Sequence, residues 1–598
     1  MHMQKSMRSP RVPLNRASHS WGGIHPTIFL QTRWQRTARC GLLTSVIVCV
    51  AMLVLAGCQS PQLRLNASQR AIAGELTGID PRRDPLPAAT PIIDVHTHTF
   101  NARYLPLEGI LHGKRDALFP VTTLISDHCA KVIAEALIDR TELSAIPGQP
   151  GIMRKPDTEE LRATRQPGFL CNIFLGLIDK AIAGGAWKQG VRTADKMRTL
   201  DSIAERMNVL ERLAVKSAAS MMGMEAHTRG SKTVEGTISG VQAAVRFLWT
   251  LTQNDARMAA LFREMHGDVP KKGSITMVSH MMDLGPVYDQ CPDGKALLDF
   301  QTQQVRRMES YQNQPGSGLL YFVAYNPYRD HLQGCSSSGA LDLVKDAITR
   351  HGARGVKIYP PSGYRAAGNE IPPRPLALFT HFPSQQWEAR YGRLGSEPNK
   401  ALDQELNGLL EWCIAKDVPV FVHSGYGEFE ARKGYGVRNS DPRYWEQFLV
   451  SHSKQGQPCK LRLCLGHAGG PDFWFGSGSH ADWGRKAYEL CTQYPNVYCE
   501  ITTDDPMIRP DTQAFFVDRV ATLFKESEHP QDSGARYLFA KKLMYGTDWY
   551  LPDKGKPADV LLATQKAFLD QRLRPHYADY FSGNARRYLK LASGETKP

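Results

Sequence analysis

The chain has 598 residues, of which 42% are hydrophobic and 22% charged, a composition that excludes a wholly disordered chain and a multi-span membrane protein. Its formal net charge of +14 would suit a nucleic-acid-binding protein. However, residues 1–57 hold seven basic residues and no Asp or Glu, so half of the excess belongs to the N-terminal segment. The sequence contains no known nucleic-acid-binding motif and no C-x-x-C pair, and we predict no nucleic-acid partner.

Residues 1–57 have the pattern of an export signal, with a basic stretch that ends at Arg39 and an apolar, uncharged run from Gly41 to Gly57. The run leads into Leu55-Ala56-Gly57-Cys58, which resembles the bacterial lipobox. This resemblance implies that Cys58 is lipidated and anchors the mature protein to a membrane. Gln59 after the Cys favours, by the same resemblance, the outer membrane facing the periplasm. A transmembrane anchor is the alternative, because the run is near the lower length limit for a spanning helix.

Residues 58–90 are rich in Pro, Arg, Ala and Gln and lack strong periodicity, which predicts a tether. The cysteines that follow have no spacing typical of a disulfide framework. Cys464 and Cys499 lie in apolar runs and are predicted to be core residues. Residues 91–598 are predicted to form one domain.

Eight short apolar runs of this domain end in a polar or ionisable residue. They are Pro91–His98, Ile275–Asp283, Leu319–Asn326, Gly352–Tyr359, Val418–Ser424, Leu461–His467, Asn496–Thr502 and Lys542–Asp548. Helix-length segments separate most of the later runs, at Ser338–His351, Lys400–Lys416, Ala481–Thr492 and Thr512–Lys525. This alternation predicts an α/β fold with a parallel sheet, and eight such strands predict a (β/α)8 TIM barrel. A doubly wound open sheet is the alternative, although it would not need ionisable residues after so many strands.

The stretch between the first two predicted strands is too long for a loop. Leu200, Ile203, Met207 and Leu210 recur in it every three or four residues, as in an amphipathic helix. We therefore predict a large, mostly helical insertion at about 105–270 that caps the mouth of the barrel. An elaboration that shapes no site is the alternative.

Two histidines, His96 and His98, stand at the end of the first predicted strand. The two-residue period of a strand places both on one face, and in a closed barrel that face is the interior. Two imidazoles therefore converge at one point. Alone, an H-x-H pair is a weak indication of a metal site, because single histidines are more often core or surface residues.

The run Asp94-Val95-His96-Thr97-His98 resembles the first strand of the amidohydrolase superfamily. His423, His467 and Asp548 then follow at the ends of the fifth, sixth and eighth predicted strands, in the order of that superfamily. Residues 583–589, GNARRYL, resemble a helix start of the amidohydrolase-2 branch, which is similar to aminocarboxymuconate-semialdehyde decarboxylase. The resemblance covers residues 91–100 and 275–592 and leaves out the helical insertion.

The resemblance implies a metal centre. His96, His98, His423 and Asp548 would hold Zn²⁺ or another divalent transition metal, a donor set that suits such ions. Asp548 would also act as the general base. His467 would either bind a second ion or act as an acid or electrophile toward the substrate, so that one or two ions are expected.

Lys357, in Gly355-Val356-Lys357-Ile358-Tyr359-Pro360, stands at the end of the fourth predicted strand. Dihydroorotase-like members carry a similar segment whose Lys is carbamylated and bridges two metals, whereas many amidohydrolase-2 proteins use one metal. A buried Lys must be paired or modified. A bridging carbamate, a substrate contact and a structural ion pair stay open. Glu500, Asp504 and Asp505, near the seventh strand, are candidates for orienting a ligand histidine.

Candidate substrate contacts follow the predicted strands. They are Arg103 after the first, Tyr364 and Arg365 after the fourth, and Tyr426 after the fifth. An Arg is suited to binding a substrate carboxylate, and an exposed loop residue is the alternative at each position.

Three functions are compatible with these residues. The leading hypothesis is a metal-dependent hydrolase that cleaves a C–N or C–O bond of a small molecule, such as an amide, lactam, lactone or ester. The second is a metal-dependent decarboxylase or hydratase of a carboxylated substrate. The third, a non-catalytic envelope lipoprotein that binds a ligand, is disfavoured by the intact ligand set. Whether the protein forms a homo-oligomer stays open.

Overall fold

A computed structural model describes most of the predicted barrel domain. The described residues are 65–80, 91–99, 101–105, 137, 176, 180, 193–207, 242, 245–266, 275–284, 295–331, 339–369, 398–426, 434–476, 478–502, 505–549 and 557–592. The predicted signal segment and Cys58 lie outside these ranges. None of the described helices combines the length and the apolar character that crossing a membrane requires.

Eight parallel strands in sequential order form the sheet within the described residues. They are β1 (Ile92–Thr97), β2 (Ile275–His280), β3 (Leu319–Tyr325), β4 (Gly355–Ile358), β5 (Val420–His423), β6 (Leu463–Gly466), β7 (Val497–Thr502) and β8 (Leu543–Gly546). Each coincides with one of the predicted runs, and the predicted TIM barrel is confirmed. Because parallel strands that follow one another in sequence need a crossover between them, helices surround this sheet.

The α-helices of the described residues follow in chain order. They are α1 (Ala67–Gly78), α2 (Thr193–Glu205), α3 (Asp255–His266), α4 (Lys295–Gln312), α5 (Pro327–His331), α6 (Ala340–Arg350), α7 (Pro398–Lys416), α8 (Tyr435–Asn439), α9 (Pro442–Ser451), α10 (Pro471–Phe475), α11 (Ala481–Gln493), α12 (Asp505–Ile508), α13 (Pro510–Ser527), α14 (Pro530–Ser533), α15 (Pro557–Ala567) and α16 (Asn584–Leu589).

The end of β8 closes the barrel onto β1. Thr97 and Trp549 form a parallel bridge, the backbone N–H of His98 donates to the carbonyl of Trp549 at 2.6 Å, and that of Asp548 donates to the carbonyl of His96 at 2.7 Å. The same backbone contacts that complete the barrel therefore bring three of the predicted metal ligands to one place.

The buried carboxylate of Asp94 supports this closure. It accepts hydrogen bonds from the backbone N–H of His96 at 3.1 Å and from the Oγ1–H of Thr547 at 2.6 Å. Burial raises the pKa of Asp94 to about 7, although these hydrogen bonds act in the opposite direction. The Asp of the Asp94–His98 motif is thus a structural link between the first and last strands.

Apolar side chains fill the lower part of the barrel interior. They are Ile93, Val95, Val278, Phe322, Phe421, Cys464, Tyr498 and Met544, and α16 adds Ala585, Tyr588 and Leu589. Outward-facing residues of the same strands pack in a second, larger core under the helices. Cys464 and Cys499 are buried and free, which confirms their prediction as core residues. The interior is therefore lined by mostly apolar side chains below the predicted ligands.

Helix α1 lies inside the segment predicted as a tether. Asn66 and Gln69 form a capping box at its start, with bonds of 2.9 and 3.1 Å. Ile72 and Leu76 are buried, and the Gln69 side chain bonds Asp518 of α13 at 3.2 Å. Residues 67–78 thus differ from the predicted irregular tether, because a capped helix with one apolar edge packs on the barrel wall.

Helices α2 and α3 and the helical residues 245–250 are described within the predicted insertion. An ion pair between Arg246 and Asp201 links α2 to the stretch before α3, with Arg246 Nε 2.8 Å from Asp201 Oδ1. Helix α3 packs against α4, α15 and β2, the place of the barrel helix between β1 and β2. The insertion therefore ends before Asp255 rather than near 270. Its role as a cap stays a prediction, since most of residues 106–244 lie outside the described ranges.

Asp255, at the start of α3, gives a prediction for the pH dependence of stability. It is buried, and burial raises its pKa from 3.8 to about 6, partly offset by Arg307. Because the pKa of Asp255 is higher in the folded than in the unfolded chain, folding favours the protonated carboxyl. The free energy of unfolding therefore decreases as the pH rises from about 4 through about 6. Asp255→Asn should therefore stabilise the protein at about pH 8, by up to about 3 kcal/mol.

Urea unfolding of both proteins at about pH 4 and about pH 8 measures this difference. The same substitution at the exposed Asp532 is the control and should change stability by less than about 0.5 kcal/mol at either pH. An Asp255→Asn protein that is less stable than wild type at about pH 8 would contradict the prediction.

Candidate metal centre

His96, His98 and Asp548 meet at the upper end of the barrel interior. Asp548 Oδ1 lies 3.2 Å from His96 Nε2 and 3.0 Å from His98 Nε2. The three side chains are at most 3% exposed, and they form the group of described residues whose donor atoms are close enough to hold one ion. The predicted convergence of the two imidazoles is therefore present in the structure.

Hydrogen bonds fix which nitrogen each imidazole presents. His98 Nδ1 lies 2.9 Å from the carbonyl oxygen of His280, which accepts only, so Nδ1 carries the proton. His96 Nδ1 donates in the same way to Glu500 Oε2 at 2.9 Å. Both Nε2 atoms thus direct lone pairs toward Asp548 Oδ1. Three electron-rich atoms at such distances repel one another unless a cation lies among them, so the donor set fits a divalent metal ion.

Both histidines are also in the protonation state that metal binding needs. Burial lowers the pKa of His96 well below its usual value, and the nearby Lys357 lowers it further. Burial likewise lowers the pKa of His98, although Asp548 acts against this. Neutral imidazole is the form that binds metals, and these side chains are therefore ready as ligands at neutral pH.

Two residues of the site have strained backbones. Asp548 and His467 have φ angles of 54° and 63°, a left-handed conformation that is costly for residues with a Cβ atom and is enriched at functional sites. Asp548 is held by its bond to the His96 carbonyl. The backbone N–H of His467 donates to Glu500 Oε2 at 3.2 Å. Glu500 therefore fixes both His96 and His467, which supports its predicted orienting role.

Lys357 lies beside the three ligands. It is 2% exposed, its Nζ is 3.2 Å from His96 Nε2, and it stands over the Phe421 ring at 4.5 Å from the centroid. An ammonium group here would compete with a metal ion for the His96 lone pair. The position suits a group that is modified or that meets the substrate, and carbamylation stays a prediction.

His423 and His467 form a second pair, with ring centroids 4.4 Å apart. His423 Nε2 donates to the carbonyl of Gly425 at 3.1 Å, so this nitrogen is turned away from the three-residue group. The ring of His467 lies 4.9 Å from that of His96, and its Nδ1 is 2.6 Å from Thr502 Oγ1. Metal ligation by His423 stays a prediction, and so does ligation of a second ion by His467.

Two candidate substrate contacts after β4 are engaged within the protein. The Tyr364 hydroxyl is buried, accepts from the Tyr359 N–H at 3.0 Å and lies 3.3 Å from the Tyr325 carbonyl. Arg365 directs Nε toward Asn439 Oδ1 at 3.3 Å. Both side chains therefore stabilise the loop after β4 in this structure, and substrate contact stays a prediction for each.

The other two candidates follow β5 and β1. Tyr426 is partly buried, donates its hydroxyl to Asp472 and packs on His480 with ring centroids 4.6 Å apart. Arg103 is partly exposed, and its backbone N–H bonds Asn101 Oδ1 at 3.1 Å. Arg103 is thus the candidate guanidinium in the loop directly after the two histidines of β1.

One residue of the site was not predicted. His280 ends β2, is fully buried, and has ring centroids 5.4 Å from His96 and 6.0 Å from His98. Its signal in the sequence was the same as for the other strands, an apolar run with an ionisable end. The predicted strand runs on to Asp283, so its ionisable end is Asp283 and not His280. In the structure the Asp283 carboxylate pairs with Arg329.

The family comparison agrees with this arrangement. Residues 336–591 match the family model described as Amidohydrolase. This part of the chain, which contains β4 to β8, is similar to the amidohydrolase family. The predicted resemblance to the amidohydrolase-2 branch is thereby confirmed, and so is the prediction of an enzyme. No curated protein matches the sequence of this chain.

Solved structures similar to this chain share little sequence with it. One is a probable 2-pyrone-4,6-dicarboxylic acid hydrolase from Acinetobacter baumannii (11% identity, 56% of this chain and 89% of that chain, TM-score 0.30). A second is a 5-carboxyvanillate decarboxylase from Novosphingobium aromaticivorans with bound manganese (12% identity, 66% of this chain and 94% of that chain, TM-score 0.32). A third is an amidohydrolase from Burkholderia multivorans with bound zinc (12% identity, 56% of this chain and 88% of that chain, TM-score 0.30).

Glu500→Gln tests the orienting bonds of the candidate metal centre. The amide keeps the size of the side chain but loses the charge that holds the His96 Nδ1 proton. We expect the affinity for Zn²⁺, measured by competition with a chromophoric chelator, to fall about 10- to 100-fold. Glu489→Gln, on the surface ion pair with Lys486, is the control. Unchanged zinc affinity in Glu500→Gln would contradict the assignment.

Proposed function

We propose that this amidohydrolase hydrolyses a C–N or C–O bond of a small molecule, in an amide, lactam, lactone or ester, with a divalent transition metal such as Zn²⁺. The observation that carries the proposal is the buried group of His96 Nε2, His98 Nε2 and Asp548 Oδ1, three donor atoms close enough together to hold one divalent ion. A divalent ion there supplies a Lewis acid that polarises a carbonyl and acidifies water.

Asp548 is the residue suited to moving the proton. Its carboxylate lies at the ligand atoms of both histidines, so it is placed to accept a proton from the attacking water and to deliver it to the leaving nitrogen or oxygen. The left-handed backbone of Asp548 and its bond to β1 limit its movement. Such fixed geometry favours proton transfer, because little reorganisation is needed.

His467 is the residue suited to meeting the substrate. It is 8% exposed, whereas His96, His98 and Asp548 are at most 2% exposed, so His467 is the least buried of these four residues. Its contact with Thr502 Oγ1 fixes the ring. In this role His467 would polarise the substrate carbonyl as its oxygen gains negative charge.

A decarboxylase of a carboxylated substrate is the second candidate, and Lys357 favours it. Its Nζ is buried and lies 3.2 Å from a predicted ligand atom, and a protonated amine at this place could bind a substrate carboxylate. In that reaction Asp548 or His467 would protonate the carbon that loses CO₂.

A substrate panel distinguishes the candidates. The full chain, purified in detergent and loaded with Zn²⁺ or Mn²⁺, is assayed against nitrophenyl esters, lactones and amides, and against aromatic carboxylates for CO₂ release. Metal-dependent hydrolysis supports the proposal. Release of CO₂ without hydrolysis overturns it in favour of the decarboxylase, and a protein that neither binds metal nor turns over either class supports the binding lipoprotein.

We also infer that the enzyme is anchored by a lipid on Cys58, in the outer membrane and facing the periplasm. The support is the motif Leu55-Ala56-Gly57-Cys58 after an apolar run. Metabolic labelling with radioactive palmitate tests it: the wild-type chain should be labelled and Cys58→Ser should not. Equal labelling of the two proteins would overturn the inference.

A further inference from the structure

Strand β1 contains an irregularity just before its two histidines. Asp94 pairs with Met277 of β2, and Thr97 pairs with Ser279. Three steps along β1 thus correspond to two along β2, so β1 carries one extra residue there, as in a β-bulge.

The extra residue decides which way the histidines face. Ile93 and Val95 point into the barrel, where they pack in the lower apolar layer. His96, the next residue, also faces the interior, with its ring 4.6 Å from that of Phe421. In a regular strand, alternation would send His96 and His98 to the outer face. In the structure Thr99, rather than a histidine, lies on the outer face, where it contacts Met308 of α4.

Two side-chain bonds connect β1 and β2 across this bulge. His280 Nε2 lies 2.7 Å from the carbonyl oxygen of Val95 and donates to it. In the other direction, Thr97 Oγ1 donates to the carbonyl of Val278 at 2.8 Å. A carbonyl inside a bulge is displaced from the regular hydrogen bonds between strands. The His280 and Thr97 side chains therefore supply hydrogen bonds to the two carbonyls at the irregularity.

His280 also sets the orientation of His98. Its backbone carbonyl accepts the proton of His98 Nδ1 at 2.9 Å. The imidazole of His280 is fully buried, and its Nε2 proton is committed to Val95. The side chain is thus placed to fix the strand that carries the ligands rather than to bind an ion through Nε2.

We propose that His280 is a positioning residue of the metal centre. By donating Nε2–H to the Val95 carbonyl, it holds the bulge that turns His96 and His98 toward Asp548. The proposal rests on the metal-dependent function proposed above. Its test is metal affinity, which is separate from turnover of any substrate.

Two substitutions at His280 separate the hydrogen bond from general packing. In His280→Gln the amide nitrogen stands close to the position of Nε2 and can still donate to Val95. In His280→Asn the amide nitrogen stands near Nδ1 and cannot reach. By competition with a chromophoric chelator, we expect zinc affinity to fall about 10- to 100-fold in His280→Asn and to stay within about threefold of wild type in His280→Gln.

Circular dichroism and thermal unfolding of the metal-free proteins show whether each variant is folded. If His280→Asn does not fold, Thr97→Val, which removes the reciprocal bond at nearly constant volume, is measured instead and should weaken zinc binding in the same way. Wild-type affinity in folded His280→Asn would overturn the proposal, and so would an equal loss in His280→Gln. A wild-type chain that binds no zinc would overturn the proposed function itself.

Discussion

Asp548→Asn is expected to lower kcat by about 10²- to 10⁴-fold on any ester, lactone or amide that the wild-type enzyme hydrolyses, the range of a general base. The amide has nearly the same size and shape but does not accept a proton at neutral pH. Because Asp548 Oδ1 also faces His96 and His98 at 3.2 and 3.0 Å, the variant should bind zinc more weakly as well.

Measurement at saturating zinc separates these two effects. If kcat stays low when the variant is fully loaded, the lost group is the proton acceptor, and if it recovers, Asp548 acts only as a ligand. Asp532→Asn, at an exposed position, should leave kcat unchanged. Activity within about threefold of wild type in loaded Asp548→Asn would contradict a role as general base, which contributes at least about 10²-fold.

His98→Ala is expected to weaken zinc binding by more than the approximately 10- to 100-fold that follows from the loss of an outer partner. The substitution removes one of three converging donors, and the remaining pair, His96 Nε2 and Asp548 Oδ1, offers an incomplete ligand set. Zinc bound per chain after dialysis against micromolar zinc measures the loss. Activity should fall in proportion to the zinc lost.

His529→Ala, at an exposed position, is the matched control and should bind zinc as the wild type does. The thermal unfolding of metal-free His98→Ala checks that the barrel still forms. A folded His98→Ala variant with the zinc content of the wild type would contradict the assignment of His98 as a ligand.

Most of the barrel could be predicted because its strands are short apolar runs with an ionisable end. The two-residue period places His96 and His98 on one face, and in the structure both lie beside Asp548. The period alone does not say which face is the interior. Ile93 and Val95, at odd-numbered positions, also face the interior, so alternation alone would turn His96 and His98 outward. Their direction depends on a bulge at Val95 that His280, 185 residues away in sequence, helps to hold.

Loop residues and short helices were harder to predict. Tyr364 and Arg365 follow a strand that ends in the site, but a long side chain on a loop can turn several ways, and both are engaged with neighbouring protein groups. Helix α1 was not predicted, because prolines near it dominate the composition. Its capping box, Asn66 with Gln69, was a local signal that could have indicated a helix start.

The metal content of the full chain tests the central claim most directly. The protein is purified without chelator, dialysed and analysed by inductively coupled plasma mass spectrometry. Because His96, His98 and Asp548 form one ligand group, we predict about one divalent transition-metal ion per chain, or about two if Lys357 is carbamylated, and its removal by a chelator. Folded protein that retains no stoichiometric metal, even after incubation with Zn²⁺ or Mn²⁺, would contradict the account.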